Sequence, residues 1–327
     1  MVHRSIHRSG SLLRVLGLLE SEEKVVAKKT NKLTANSRIA DLLDYYLDSH
    51  AFLKLSSPAQ KDYESCTKVI RASLGSVRLR DITVPKAEVA YEEWLKRGTY
   101  RANKIAAIMS IILNKAIGMG LRILNPVPHM DRETNPERKV LWEPDQVYSF
   151  LDTAYSDIKW RSIGLIVQMA YEWGQRIGDM RLLTWNCIDL DKKRCDITQS
   201  KRGAEVHLPI SDPLMHVLKQ QYDTFSFQPY VAPQIKPSDG AYKPYRKDNL
   251  FSYVNDIKQA AGLPNELTAM DMRRSAITEM VEAGVDITQI KQVSGHSNIN
   301  SLTPYIKHTY TGASEALAQR SAYKEKQ

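Results

Sequence analysis

The sequence predicts a mainly α-helical protein with a small β-sheet, an α+β fold arranged as two domains. Its length of 327 residues is enough for two domains that each bury a core. Apolar side chains recur at helical spacing through residues 36–119, which indicates several amphipathic helices. Two short segments at residues 195–199 and 205–209 are joined by a turn that contains glycine, and this spacing is typical of a β-hairpin.

Four helices are predicted in the N-terminal half. The first presents one apolar face, formed by Ile39, Leu42, Leu43, Tyr46 and Leu47. The second begins at Ser57-Pro58, the third at Thr83-Val84-Pro85 and the fourth at Thr99. This segment by itself favours an ordinary four-helix bundle with a solvated outer face.

The fourth predicted helix also has a partly basic side. Arg101, Lys104 and Lys115 lie on it and are candidate DNA contacts, as is Arg274 in the C-terminal half. The ordinary alternative is that these charges belong to a solvated surface.

A break in the helical pattern separates the two predicted domains. Prolines interrupt residues 125–128, and the polar stretch that follows is typical of an interdomain linker. A helix is then predicted from Pro144, an apolar helix at residues 163–173, the hairpin, and helices from Asp248 to the end. The predicted parts are a basic tail at 1–35, a helical domain at 36–127, a linker at 128–141, a second domain at 142–311 and a C-terminal helix or tail at 312–327.

The charge of the chain favours an anionic partner. The net charge is +9 and the sequence pI is about 9.2, so nucleic acid is the leading candidate. Residues 1–38 hold eight Lys or Arg against three Glu, which leaves only +4 for the remaining chain. A DNA-contacting arm and a solvated basic tail both stay open as interpretations of that segment.

The cysteines and the hydropathy favour a cytoplasmic protein. Cys66, Cys187 and Cys195 are odd in number and lack C-x-x-C spacing, which argues against disulfides and a structural zinc site. The apolar run at residues 12–19 is interrupted by Arg14 and Gly17 and is too short to span a bilayer.

Cleavage of a phosphodiester without a metal sets clear chemical requirements. Negative charge develops on the nonbridging oxygens, so fixed donors must face them. Arginine suits this task because its planar guanidinium stays protonated and binds phosphate through two parallel hydrogen bonds. A tyrosine phenol can form a covalent phosphoenzyme, and a lysine near its charged form can protonate the leaving oxygen.

Two arginines and a lysine are candidates for the donor roles. Arg176 follows the predicted apolar helix, and Asp179 lies three residues on, where it can orient the guanidinium. Arg273 lies at the head of a predicted helix. Lys201 occupies the tip of the predicted hairpin, from which a long side chain can reach into a groove.

A histidine and a late tyrosine complete the pattern. His296 follows Gly295 at a predicted helix end, and Tyr305 lies nine positions later. The preceding Thr303-Pro304 break predicts that Tyr305 starts a short helix or ends a mobile loop. Each residue alone has an ordinary interpretation, such as a surface ion pair, a helix cap, a turn lysine or a packing tyrosine. Their order and spacing together favour the chemical interpretation.

At these positions the chain resembles the tyrosine recombinase family, also called the phage integrases, which includes the Cre and Xer recombinases. The likeness to the first arginine box of the family lies in Gln175-Arg176-Ile177-Gly178-Asp179-Met180, Leu183-Thr184-Trp185 and Ile188-Asp189. The likeness to the second box lies in Met272-Arg273-Arg274-Ser275, Ala283-Gly284-Val285, Ser294-Gly295-His296-Ser297 and Tyr305. Residues 197–201 and 206–209 resemble the lysine hairpin, and Asn125-Pro126 resembles the interdomain junction. The likeness covers roughly residues 36–310, and the second box is its most specific part.

The resemblance implies a role for each candidate. Tyr305 would be the nucleophile that forms a 3′-phosphotyrosine. Arg176 and Arg273 would clamp the scissile phosphate, and His296 would hydrogen-bond to it. Lys201 would protonate the leaving 5′-hydroxyl. The resemblance implies neither a metal nor any other cofactor.

The resemblance also implies an assembly. Residues 36–127 would form a core DNA-binding domain and residues 142–311 the catalytic domain, closing together around double-stranded DNA. Members of the family act as DNA-bound tetramers that exchange strands through a Holliday junction, in some cases with a DNA-bending accessory protein. Residues 312–324 would then form a helix that docks on a neighbouring protomer, with a frayed terminal helix as the alternative.

One position departs from the family pattern. The family usually has histidine three residues before its second arginine, and this chain has Met270 there. Methionine neither donates to a phosphate nor transfers a proton. Since general acid–base help is typically worth ~10²–10⁴-fold, cleavage would be slower but not absent. The neighbouring Asp271 is expected to point elsewhere because it lies on a helix or turn, and its charge would repel phosphate. His308 is a candidate substitute.

The leading hypothesis is a site-specific DNA recombinase that serves the integration or excision of a phage or another mobile element. One alternative, from a different class, is a DNA-binding protein of the same fold with weakened catalysis, which Met270 supports. Another is an enzyme like the type IB topoisomerases, which shares the tyrosine chemistry but relaxes DNA without strand exchange.

Overall fold

The computed structural model describes residues 33–201, 203–296, 298–305 and 310–325. The chain divides between Glu137 and Arg138 into two compact units. The described residues are mainly helical and include one three-stranded sheet, so the predicted fold class is confirmed. The basic tail predicted at residues 1–35 falls, except for its last three residues, outside the described residues.

The first unit is helical, as predicted. Its helices are α1 Ile39–Leu47, α2 His50–Leu53, α3 Ser57–Leu74, α4 Val84–Leu95 and α5 Thr99–Gly118, with short 3₁₀ helices at Leu79–Asp81 and Val127–His129. The predicted starts of the last three longer helices agree with these bounds. Helix α2 was not predicted; it forms because the Ser49 hydroxyl accepts a hydrogen bond from the Phe52 amide.

One apolar core holds the first unit together. Leu42 of α1, Ile70 of α3, Trp94 of α4 and Ile105 of α5 are all almost fully buried in it. These positions follow the 3.6-residue period that the sequence shows, so each helix turns a single face inward. Asp41 supports the start of α1 by accepting a hydrogen bond from the Arg38 amide at 2.8 Å.

The second unit is built around one central helix. Its helices are α6 Pro144–Tyr155, α7 Ile158–Glu172, α8 Ile177–Met180, α9 Asp212–Phe225, α10 Lys247–Ala260, α11 Met272–Glu282, α12 Ile287–Ser294 and α13 Tyr310–Glu325, with 3₁₀ helices at Trp185–Cys187, Ala269–Asp271 and Ile299–Tyr305. Helix α7 packs against α6, α9, α10 and α11, and every residue from 162 to 170 is buried. Such an all-round apolar helix is the centre of a core rather than a surface element.

A small antiparallel sheet lies at one side of the second unit. Its strands are β1 Ile188–Asp189, β2 Arg194–Thr198 and β3 Glu205–Pro209, in the order β1-β2-β3. Cys195 pairs with Leu208 and Ile197 with Val206, and these four side chains point into the core. The hairpin is therefore confirmed, with β2 one residue earlier than predicted. Strand β1, only two residues long, gave no alternation to detect.

Two helices of the second unit differ from the predictions for local reasons. Helix α7 begins five residues before the predicted residue 163 because Asp157 accepts a hydrogen bond from the Lys159 amide at 2.9 Å. Helix α9 was not predicted; it is capped by the Ser211 hydroxyl, which accepts from the Leu214 amide at 3.3 Å.

Across the part of the chain that the structure describes, no helix combines the length and the apolar character needed to cross a membrane.

Candidate active site

Arg176 lies at a tight turn between two helices of the second unit. Helix α7 ends at Glu172, Gly174 turns the chain with φ of 56°, and Arg176 caps the start of α8. Its Nη1 donates to the side-chain oxygen Oε1 of Gln199 at 2.8 Å. The side chain keeps 28% of its exposure. The guanidinium is therefore held on one side and open to a ligand on the other.

Asp179 lies one turn after Arg176, as the spacing predicts. Its Oδ2 is 3.8 Å from Arg176 Nη1, and its carboxylate is almost fully buried. Oδ1 accepts hydrogen bonds from the Ser200 amide and hydroxyl, whereas Oδ2 has no hydrogen-bond partner among the described residues. This geometry ties the first arginine to the turn that carries Lys201.

Arg273 approaches the same turn from helix α11. Its Nη1 donates to the backbone carbonyl of Gly174 at 3.1 Å, and a Cβ atom on Gly174 would lie 3.8 Å from Ile277 and 3.9 Å from Ala276 of α11. Burial of the guanidinium, together with the nearby charge of Arg176, lowers the pKa of Arg273 to about 10. Arg273 is still a cation at neutral pH. Two positive groups held this close, with one partly engaged carboxylate nearby, favour an anionic ligand.

His296 completes the group from the end of helix α12. Gly295 ends that helix in the left-handed conformation, with φ of 65°, and turns the chain toward Arg273. Arg273 Nη2 lies 3.1 Å from His296 Nε2, and Ser294 Oγ lies 2.7 Å from His296 Nδ1. Because a guanidinium only donates, its contact requires an unprotonated nitrogen on the imidazole.

Tyr305 ends the 3₁₀ helix Ile299–Tyr305 beside the histidine. The ring centroids of His296 and Tyr305 are 6.4 Å apart at an interplanar angle of 56°. The Tyr305 ring is half-buried and packs on a small apolar cluster of Ile277, Ile290 and Leu302. The prediction that Tyr305 starts a helix or ends a mobile loop was therefore wrong, because burial of Leu302 anchors a short helix that ends at the tyrosine. His308 lies outside the described residues.

Lys201 is not brought into this group. It lies exposed in the turn between β2 and β3, where the Gln199 amide donates to the Ala204 carbonyl at 2.8 Å and the Gly203 amide to the Gln199 carbonyl at 3.0 Å. Among the described residues, its ammonium makes no hydrogen bond or ion pair. The lysine itself does not contact Arg176. The two residues before it do the linking, since Gln199 accepts from Arg176 and Ser200 donates to Asp179.

Met270 lies on the surface, three residues before the second arginine in the sequence. It belongs to the 3₁₀ helix Ala269–Asp271 and is 63% exposed. The next residue, Asp271, turns inward and accepts hydrogen bonds from Arg138 at 2.8 and 2.6 Å and from the Thr268 hydroxyl at 2.8 Å. Burial alone would raise the pKa of Asp271, but the Arg138 and Thr268 bonds hold it below its ordinary value. The expectation that Asp271 points elsewhere is confirmed.

The predicted DNA contacts have different surroundings. In the first unit, Arg101 donates to the Ser65 hydroxyl at 2.6 Å, Lys104 pairs with Asp62 at 2.5 Å, and Lys115 is exposed. In the second unit, Arg274 donates to the backbone carbonyl of Arg138. Lys115 is thus the freest of these cations to meet a phosphate, and Lys104 would first have to leave its carboxylate.

Two buried glutamines belong to the site, although the spacing argument did not single them out. Gln199 and Gln175 have exposures of 1% and 0%. A signal for Gln199 exists in the sequence, since the alternation through Cys195 and Ile197 puts residue 199 on the inward face. A polar residue at such a position needs hydrogen-bond partners inside the protein.

The arrangement can bind and activate a phosphoryl group. Arg176 and Arg273 offer fixed donors to nonbridging oxygens, His296 offers a further polar contact, and the Tyr305 phenol offers an oxygen nucleophile. No group of three or more His, Cys, Asp or Glu within the described ranges is arranged to hold a metal ion. Metal-free chemistry itself stays a prediction.

The part of the chain that holds this site matches one known protein family. The model of the phage integrase family matches residues 142–311. The tyrosine recombinase XerA of Pyrococcus horikoshii is 26% identical over 159 residues, which is 47% of this chain and 53% of that protein. XerA of Thermococcus kodakarensis is 27% identical over 151 residues, covering 44% and 50%. The chain thus spans about half the length of these curated relatives.

Solved structures of integrases share the fold. A lambda integrase tetramer bound to a Holliday junction has a TM-score of 0.69 at 19% identity, covering 86% of this chain and 80% of that one. A lambda integrase dimer bound to a COC′ core site has a TM-score of 0.67 at 20% identity, covering 82% and 77%. The Tn1549 transposon integrase in complex with a circular intermediate DNA reaches 0.70 at 16% identity, covering 87% and 99%.

Proposed function

We propose, from the premise that this chain belongs to the phage integrase family, that it is a site-specific DNA recombinase. It cleaves and rejoins DNA strands through a 3′-phosphotyrosine intermediate. The observation that carries this proposal is the convergence of Arg176, Arg273, His296 and Tyr305 in one part of the second unit. These residues are separated by up to 129 positions in the sequence (305 minus 176).

The proposed cleavage step gives each of five residues one role, and that of His296 is to hydrogen-bond the scissile phosphate. The Tyr305 hydroxyl oxygen attacks the scissile phosphorus and its proton passes to solvent, since Met270 offers no base. A bond forms between that oxygen and the 3′-phosphate as the bond from phosphorus to the 5′-oxygen breaks. Arg176 and Arg273 bind the nonbridging oxygens, where charge develops. The 5′-oxygen takes its proton from Lys201, which must swing in from the exposed turn.

The covalent bond conserves the energy of the broken one. A 5′-hydroxyl from another strand can therefore attack the phosphotyrosine and rejoin the DNA without ATP. This reversibility suits strand exchange for integrating or excising a phage or another mobile element. We propose no role for a metal or another cofactor.

Partners and assembly are proposed on the same basis. Double-stranded DNA is the substrate, bound mainly through phosphate contacts and therefore sensitive to salt. Four copies assemble on DNA, and helix α13 docks on a neighbouring copy, where the 61% exposed Leu317 would be covered. We also propose that a DNA-bending accessory protein takes part and that the reaction takes place in the cytoplasm of a prokaryotic cell.

Met270 supports a second candidate function. This chain has the non-ionisable Met270 three residues before Arg273, and this observation favours a DNA-binding protein with weakened catalysis as the second candidate. One assay separates the two. The protein is incubated with a nicked substrate whose cleaved strand diffuses away, and the covalent adduct is mapped by mass spectrometry.

The outcomes of this assay are distinct. An adduct on Tyr305 that disappears in Tyr305→Phe supports the recombinase. Binding without an adduct on the native site supports the weakened binder. An adduct with relaxation of supercoiled DNA but without recombinant products supports a topoisomerase-like enzyme instead.

A further inference from the structure

We infer that Gln199 is the positioning residue that holds Arg176 at the scissile phosphate while leaving its positive charge available. The inference rests on the proposed function and adds a residue to that site. Gln199 touches Arg176 directly but lies too deep, at 1% exposure, to contact the substrate itself. Its effect on cleavage therefore passes through the arginine.

The orientation of the Gln199 side chain is set by a chain of hydrogen bonds. Gln175 Nε2 donates to the backbone carbonyls of Trp173 at 2.9 Å and Val293 at 2.7 Å. Since carbonyls only accept, the Gln175 amide group must face them, and its oxygen must face Gln199. Gln199 Nε2 donates to that oxygen at 2.6 Å and to the Ser294 carbonyl at 2.9 Å. Its own oxygen is left to accept from Arg176.

A neutral acceptor at this position has a specific advantage. Arg176 Nη1 is 2.8 Å from the Gln199 oxygen but 3.8 Å from Asp179 Oδ2. The amide therefore competes with a buried carboxylate oxygen that has no hydrogen-bond partner among the described residues. An amide directs the guanidinium without cancelling its charge, whereas a full ion pair would reduce its attraction for phosphate. Loss of Gln199 therefore lets Arg176 turn toward Asp179.

The same amide also lies against the turn that carries His296. A Cβ atom on Gly295 would be 2.5 Å from Gln199 Nε2, so the backbone passes the amide at a distance that only glycine allows. Gln199 thus joins the Arg176 turn, through Gln175, to the end of helix α12 at Ser294. A one-residue change at this junction would displace groups on both sides of the phosphate.

The test compares Gln199→Met with a matched control. Methionine keeps the length of the side chain but removes all three hydrogen bonds. Gln221→Met is the control, because Gln221 is a fully buried glutamine that likewise accepts from an arginine, Arg161, at 3.1 Å and donates to Ser162 at 3.0 Å. Both variants are assayed as full-length protein with the nicked substrate in single turnover. DNA affinity is measured separately with Tyr305→Phe in each background.

We expect Gln199→Met to lower the rate constant of adduct formation about 10- to 100-fold, as a misplacement near 1 Å does, with DNA affinity changed less than about threefold. Gln221→Met should leave the rate constant near the wild-type value even if its melting temperature falls. Partial unfolding lowers the fraction of protein that forms the adduct, which is the amplitude of the single turnover. The rate constant describes only the folded molecules that react. A wild-type rate constant in Gln199→Met would overturn the inference.

A double-mutant cycle tests the route through Arg176. If Gln199 acts by placing the guanidinium, Gln199→Met should cost almost nothing further in an Arg176→Lys background. If the two substitutions instead lower the rate constant by independent factors that multiply, the inference is overturned. A general structural role of Gln199 would give that result, because its effect would not depend on residue 176.

Gln199→Glu keeps an acceptor opposite Arg176 and covers the case in which the methionine variant does not fold. Its rate constant should also fall about tenfold or more, because the added carboxylate pairs with the Arg176 guanidinium. A wild-type value would overturn the inference. Absence of a Tyr305 adduct in the wild-type protein would instead contradict the proposed function. The two failures are therefore distinguishable.

Discussion

Arg273 donates a hydrogen bond from Nη1 to the backbone carbonyl of Gly174, two residues before Arg176. One turn of the chain therefore carries the first arginine and anchors the second. This peptide group therefore helps to set the position of one guanidinium relative to the other. Such rigidity matters because donors must be in place before charge develops on a phosphate.

The first prediction concerns this anchor. Arg273→Lys should reduce the rate of adduct formation by about 10²–10³-fold, since lysine cannot span both the Gly174 carbonyl and a phosphate oxygen. DNA affinity should change little, because many other phosphate contacts contribute to it. Arg194→Lys is the control, as Arg194 is an exposed arginine paired with Asp196 at 2.6 Å. Equal effects of the two substitutions in single-turnover assays would contradict the assigned role.

The second prediction concerns the nucleophile. Tyr305→Phe should abolish the covalent adduct while stability changes by less than about 1 kcal/mol, because the ring still packs on Ile277, Ile290 and Leu302. Denaturant unfolding and mass spectrometry measure the two effects. Tyr253→Phe, a change on the partly exposed face of α10, should keep the adduct. Persistence of an adduct in Tyr305→Phe would place the nucleophile elsewhere.

The third prediction concerns the lysine of the hairpin turn. Lys201→Ala should slow cleavage of an ordinary phosphodiester by about 10²–10⁴-fold, the usual worth of a general acid. The rate should recover on a substrate with sulfur at the 5′ bridging position, because a thiolate leaves without a proton. Lys192→Ala, in the exposed turn between β1 and β2, should behave as wild type on both substrates. A defect that sulfur does not relieve would assign Lys201 to binding instead.

The fourth prediction concerns the departure from the family pattern. Met270→His should keep or raise the adduct yield, by up to about 10²-fold if the imidazole assists proton transfer. Because Met270 is 63% exposed, stability should change by less than about 0.5 kcal/mol. Met270→Ala is the matched control, as it removes the thioether without adding a base. A collapse of yield in both variants would mean that Met270 is required for structure.

The fifth prediction concerns the buried carboxylate next to Met270. Asp271 pairs with Arg138, and its pKa is lowered in the folded protein, so it stabilises the fold above the ordinary carboxylate pKa. Asp271→Asn should therefore cost about 1–3 kcal/mol at pH 7. The difference from wild type should shrink as the pH falls below about 4, where the aspartate of the unfolded chain takes up a proton. Urea unfolding at pH 7 and pH 3.5 measures it, and a constant difference would refute the charge contribution.

Local patterns in the sequence determined much of this protein. The 3.6-residue recurrence of apolar residues placed α3, α4 and α5, because a helix buries one face whatever it packs against. The two-residue alternation placed the hairpin in the same way. Spacing also singled out Arg176, Arg273, His296 and Tyr305, which the structure brings together.

Only the tertiary structure decided how these residues are held. Arg176 binds Gln199, Arg273 binds the Gly174 carbonyl, and Asp271 binds Arg138 across 133 positions. No periodicity encodes such pairs, because a polar side chain shows in the sequence neither whether it is buried nor which distant group lies within 3 Å. Packing of α11 against the central helix α7, and of α12 against α11 and β3, sets those distances. The sequence therefore determined which chemical groups are present, and the packing of the core decided which of them meet.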